Sequence, residues 1–124
     1  MTQFTGFPAG KTHLTPIPGA FFSELLPVID HLGELKVTLY AFWFLDNLEA
    51  PVRFLTYSDF SSDEKLVRGL GEAGLDDSLE RATQRGTLLK VQAAGGGPER
   101  TFYFLNTPRG RVAVQAIEAG TWRP

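Results

Sequence analysis

Leu75–Arg111, LDDSLERATQRGTLLKVQAAGGGPERTFYFLNTPRGR, is the stretch on which the fold turns. Leu75, Leu79 and Ala82 recur at i, i+4 and i+7, which predicts a helix. Gly86 stands where a left-handed residue would end it. Thr87–Gln92 and Thr101–Leu105 are rich in β-prone side chains, and Gly95, Gly96, Gly97 and Pro98 between them supply a turn. An antiparallel hairpin with a loose tip is expected. Alternation within its second strand directs Phe102 and Phe104 to one face and Tyr103 to the other. Pro108 suits the first turn of a further helix carrying Val112, Ala113, Ala116 and Ile117, stopped at Gly120.

The order helix, hairpin, helix predicts a winged helix-turn-helix, and the upstream sequence supplies its partner elements. Ala20–Leu32 reads as a helix with a broad apolar stripe, bent or divided at Pro27, and Gly33 separates it from a second helix, Glu34–Asn47. In that second helix Leu35, Leu39 and Phe42 mark one face. Val37, Tyr40 and Phe44 lie opposite and Trp43 fills the side between, so it must be covered on two sides. Val52–Thr56 reads as a short strand able to pair with the hairpin. Ser61 or Ser62 can cap a helix over Asp63–Leu70, and Gly69, Gly71 and Gly74 break the chain before Leu75. The expected fold class is mainly α with a small β-sheet (α+β), a winged helix-turn-helix with extra N- and C-terminal helices. The expected division is an arm over residues 1–19, the winged-helix domain over 20–120 and a tail or linker entrance over 121–124.

With 124 residues and 43% hydrophobic content, the chain fits one domain with a core that needs no covalent staple. The absence of cysteine excludes disulfides, thiolate metal sites and cysteine nucleophiles. The N-terminus lacks a charged-then-apolar signal pattern and no apolar run approaches a membrane span, so the expected location is the cytoplasm, with no membrane partner. A net charge of −2 weighs against a dedicated nucleic-acid binder. The charge is unevenly spread, however. Up to Val52 there are two basic residues, Lys11 and Lys36, against five acids; from Asp77 onward there are seven basic residues against four acids.

Motifs for covalent chemistry are incomplete. Gly10-Lys11-Thr12 ends like a phosphate-binding loop, but position 5, where the pattern needs glycine, is Thr5, and Pro16 follows where a helix should run. His13 and His31 fall on different elements without carboxylates at ligand spacing, so no metal is expected. Asp63-Glu64 and Asp76-Asp77 stand at helix starts, where acids complement the helix dipole. No serine lies in a nucleophile elbow. The sequence therefore points to recognition, with no enzymatic activity and no cofactor.

Two recognition surfaces compete. On Leu75–Gly86 the face opposite the leucines presents Asp77, Glu80, Arg81 and Gln84 with Arg85 at its edge; Arg81 and Gln84 could read base edges, while the acids would repel phosphates. Lys90, Arg100, Arg109 and Arg111 could hold a DNA backbone. The candidate DNA-binding set is thus Arg81, Gln84, Arg85, Lys90, Arg100, Arg109 and Arg111. The other surface is apolar. Phe4 and Phe7 on the arm, and Val37, Tyr40 and Phe44 on the second helix, are the candidates for an oligomer interface, because together they exceed what one small core needs.

The runs FFSELLPVID, ELKVTLYAFWFL, RFLTYSDF, LERATQRGTLLKV and YFLNTPRGR resemble the N-terminal winged-helix domain of DnaD-like bacterial replication-initiation proteins, from about Phe4 to Trp122. The resemblance lies in diffuse apolar patterns and involves no catalytic signature. It implies a module for oligomerisation and contact with primosome proteins, a homo-oligomer (dimer or higher), and at most weak DNA contact. In that family much of the DNA binding belongs to a separate helical C-terminal domain, which this sequence does not include. The sequence-based alternative is a winged-helix transcriptional regulator that reads duplex DNA through Arg81, Gln84 and the wing.

Overall fold

A computed structural model describes residues 3–124; of the expected arm, Met1 and Thr2 lie outside the described residues. The fold is α+β, with helices packed against a small three-stranded antiparallel sheet. Residues 3–18 form no regular element, since their prolines and glycines interrupt any helix. A single π-helical turn, Phe21–Leu25, follows. The helix expected over Ala20–Leu32 is thus limited to its first six residues, Ala20 leading into that turn: Pro27 has no N–H to continue it, and the chain runs in turn and irregular structure to His31.

Helix α1 spans Leu32–Asp46 and begins earlier than the sequence predicts, because His31 caps it, Nδ1 accepting the Glu34 N–H at 2.9 Å. Gly33 is therefore inside the helix and does not separate two elements. Strand β1 is only Leu55–Thr56, shorter than expected. Thr56 and Asp59 then form a reciprocal capping box that starts α2, Tyr57–Ser61, an element with no counterpart among the sequence-based expectations. Helix α3, Glu64–Leu70, is capped by Asp63 in place of Ser61 or Ser62. After a 3-10 turn at Gly71–Ala73 comes α4, Leu75–Arg85, ended by Gly86 at φ +91°. Strands β2, Leu88–Gln92, and β3, Thr101–Leu105, form the hairpin, and α5, Pro108–Glu118, starts with Thr107 as cap and proline in its first turn.

The sheet order is β1-β3-β2, with Leu55 opposite Tyr103 and Lys90 opposite Tyr103 on the other side. Period-two alternation then divides the core in two. On one sheet face Tyr103, Leu88 and Leu55 meet Val37, Ala41 and Leu45 of α1, Phe60 of α2 and Leu75, Leu79 and Ala82 of α4. On the other, Phe102, Phe104 and Val91 meet Ile117 of α5, with Phe54 and Trp122 against them. The sheet is covered on both faces, so the hairpin is a packed layer for most of its length. Among the described residues no helix is long and apolar enough to cross a membrane.

Candidate protein-contact and nucleic-acid surfaces

The outer face of α4 carries three carboxylates, Asp76, Asp77 and Glu80, all exposed. Each holds a neighbour. Arg81 Nε donates to Asp77 Oδ2 at 3.0 Å, and Gln84 Nε2 donates to Glu80 Oε1 at 3.1 Å. Asp77 also lies 3.3 Å from His31 Nε2. Tyr57 donates to Asp76 Oδ1 at 2.5 Å, and that hydrogen bond, together with burial, pushes the tyrosine pKa up to about 12. The two side chains suited to base reading are thus tied to acids on their own helix.

Arg85 corrects the sequence expectation. It does not face outward with Arg81; its guanidinium grips the almost fully buried Glu34 carboxylate through Nε and Nη2, and Asp30 lies 3.5 Å from Nη2. The Glu34 hydrogen bond raises the Arg85 pKa above its ordinary value. A two-pronged pair of this kind fixes α1 to α4 and takes Arg85 away from any groove.

The four remaining cations do not converge. Arg100 stands at the tip end of β3, with its Nε buried and unpaired among the described residues. Arg109 and Arg111 lie in the first turn of α5, beyond the opposite end of that strand. At roughly 3.3 Å per residue, β3 separates the two groups by about 17 Å. Lys90 is exposed on β2, and Arg111 Nη1 donates to Asn106 Oδ1 at 3.1 Å. Among the described residues none of the four enters an ion pair. They offer scattered phosphate contacts and no basic stripe.

The expected oligomer residues divide. Val37 is completely buried and belongs to the core, which corrects its assignment to an interface. Tyr40 and Phe44 are half-buried against the same core. Tyr40 donates to Asp63 Oδ2 at 2.9 Å, and burial, reinforced by that carboxylate, pushes its pKa up to about 12. Phe4 and Phe7 are exposed, 67% and 90%, and pack edge-on with ring centroids 5.0 Å apart. The outward apolar residues of α1 are instead Leu32, Leu39 and Trp43, on a stripe i, i+7, i+11, and Phe22 and Leu26 before the helix are exposed as well. The stripe is visible in the sequence, but α1 is apolar on so many sides that periodicity alone does not say which face turns inward.

The arm is fixed to this side of the molecule. His13 Nε2 lies 3.0 Å from Asp46 Oδ2 at the end of α1, and Phe21 packs edge-on against Phe42. Along the exposed side of α1, and extending from Leu39 and Trp43 towards α3, runs an open groove of about 530 Å³ lined also by Tyr40, Leu66, Lys36 and Lys65. Gly10-Lys11-Thr12 falls in the irregular arm with no helix directly after it, and among the described residues no cluster of three His, Asp or Glu side chains could hold a metal.

Compared with protein-family models, with curated proteins and with solved structures, the chain matches none.

Proposed function

We propose that this chain is a winged-helix module that self-associates and docks replication-initiation proteins, as its resemblance to DnaD-like N-terminal domains implies. Its role is recognition without catalysis, in the cytoplasm, with at most weak and sequence-independent DNA contact. The element order helix, strand, two helices, helix, hairpin, with β1 paired to the returning wing strand, supports the winged-helix assignment. The observation that carries the function is the exposure of Phe22, Leu26, Leu32, Leu39 and Trp43 on α1 and on the segment just before it. Apolar surface of that extent marks a protein contact. The acidic, internally paired face of α4 supports the same conclusion, because a helix entering a major groove meets phosphates on both sides.

The test is sedimentation at several concentrations beside a fluorescence titration on random and operator-like duplexes. Association with weak, unselective DNA binding is the expected outcome. Nanomolar, sequence-selective binding by a monomer would instead favour the transcriptional regulator that reads DNA through Arg81 and Gln84.

A further inference from the structure

The geometry points to a specific mode of self-association: the Phe22–Asp30 segment of one copy seats in the α1/α3 groove of a second copy, with Glu24 set against Lys65. This rests on the self-association proposed above and names its surface. The two halves of the contact are both apolar and are opposite in charge. The segment presents Phe22, Leu26 and Val28, each 41% exposed or more, and Glu24 lies between the first two. The groove presents Leu39, Trp43 and Leu66, with Lys36 and Lys65 beside them.

Within one subunit Glu24 lacks a counterpart among the described residues, and Lys65 has only the charge attraction of Asp63, with no ion pair between them. Among the described residues neither Glu24 nor Lys65 forms a side-chain hydrogen bond or an ion pair. The one carboxylate in the groove, Asp63, is already engaged: it accepts the Lys65 and Leu66 N–H groups, both at 3.1 Å, and the Tyr40 hydroxyl. Lys36 donates to the Gly69 carbonyl at 2.6 Å, so its charge also stays at the groove. An apolar floor with a cationic rim suits an apolar segment that carries an acid.

The placement of the two halves on α1 allows both to be used at once. Phe21, which leads into the segment, packs beside Phe42, whereas the start of α3 meets Tyr40, two residues earlier and therefore about 160° round the helix. A twofold axis running along α1 lays the segment flank of each copy over the α3 flank of the other. The Leu32, Leu39 and Trp43 stripes then face each other across the axis. Such an isologous contact repeats the Glu24–Lys65 pair twice, and it covers the apolar side that the subunit itself leaves open.

Charge exchange tests the pairing, because both residues are exposed and neither supports the fold of its own subunit. Glu24→Lys and Lys65→Glu, each checked for native circular dichroism, should raise the dimer dissociation constant by about tenfold or more, since each reversal places like charges together twice. The double variant E24K/K65E should return it close to the starting value. Association that ignores the single changes, or singles that weaken it with no recovery in the double, would overturn this interface while leaving self-association intact. A wild-type chain that stays monomeric would remove the self-association itself, and this interface with it.

Discussion

Gly33 on α1 faces Ser78 on α4 with no room for a side chain between them: a Cβ at position 33 would overlap the Ser78 hydroxyl oxygen. That hydroxyl is held in place by donating to the Gly74 carbonyl at 2.6 Å. The close approach brings Glu34, the next residue, within reach of Arg85 one helix away. Gly33→Ala should therefore destabilise the domain by about 1–3 kcal/mol through overpacking, read as a lower urea midpoint with an unchanged slope. An unchanged midpoint would mean that α1 and α4 do not meet at this position.

The Glu34–Arg85 pair makes a second prediction. Glu34 is 1% exposed, so removing its partner leaves a carboxylate in the core with no cation to offset its desolvation. Arg85→Ala should lower the unfolding midpoint more than Arg81→Ala, whose partner Asp77 is half-exposed. Replacing both members by apolar residues, Glu34→Leu with Arg85→Met, should recover much of the loss. The same Arg85→Ala variant, where folded, should leave any DNA affinity unchanged.

Leu79 sits at 2% exposure where α4 meets α1 and the sheet, and Leu79→Ala should cost about 2–5 kcal/mol. A loss below about 0.5 kcal/mol would place this leucine outside the core.

The α4 face and the hairpin were legible in the sequence for a physical reason. A helix polar on one side and apolar on the other has one stable orientation, and the glycines at 86 and 95–97 mark its end and the turn. Phe102 and Phe104 do lie opposite Tyr103, because a strand covered on both faces still alternates. The second helix was less legible. Its buried face includes Glu34 and Thr38, two polar residues that pattern reasoning assigns to solvent, so Val37 was placed on the wrong side. The five-residue α2 is too short for periodicity, and only its Thr56–Asp59 capping pair signals it. Nothing local in the sequence ties Arg85 to Glu34, 51 residues away.

Alkaline pH should loosen the packing around α2. Tyr40 and Tyr57 each have a folded pKa of about 12 against an ordinary 10.0, so the fold favours the neutral phenols. Their contribution is complete below pH 10 and is lost as pH rises towards 12. Asp63 acts at the other end of the scale. The Leu66 amide, the Tyr40 hydroxyl and the amide and charge of Lys65 hold its pKa below the ordinary 3.8, so its support for α3 is present above that value and fades as pH falls through the lowered one. Stability followed across pH in wild type, Tyr40→Phe and Tyr57→Phe checks the alkaline limb, which each substitution should flatten.

Duplex DNA binding should be weak and should depend modestly on salt. With Arg85 withdrawn, the candidate phosphate contacts are Lys90, Arg100, Arg109 and Arg111, with Arg100 and the α5 pair at opposite ends of β3. At about 0.9 per contact, the log–log salt slope should be no steeper than roughly −3 to −4. A markedly steeper slope would reveal a basic surface larger than these four residues provide.

Sedimentation of the wild-type chain over a wide concentration range tests the central claim most directly. The account predicts a weight-average mass that rises above the 13.7 kDa of one chain as concentration increases, at ordinary salt and without DNA. A mass that stays at 13.7 kDa at every concentration would contradict it, leaving the exposed side of α1 without the self-contact proposed for it.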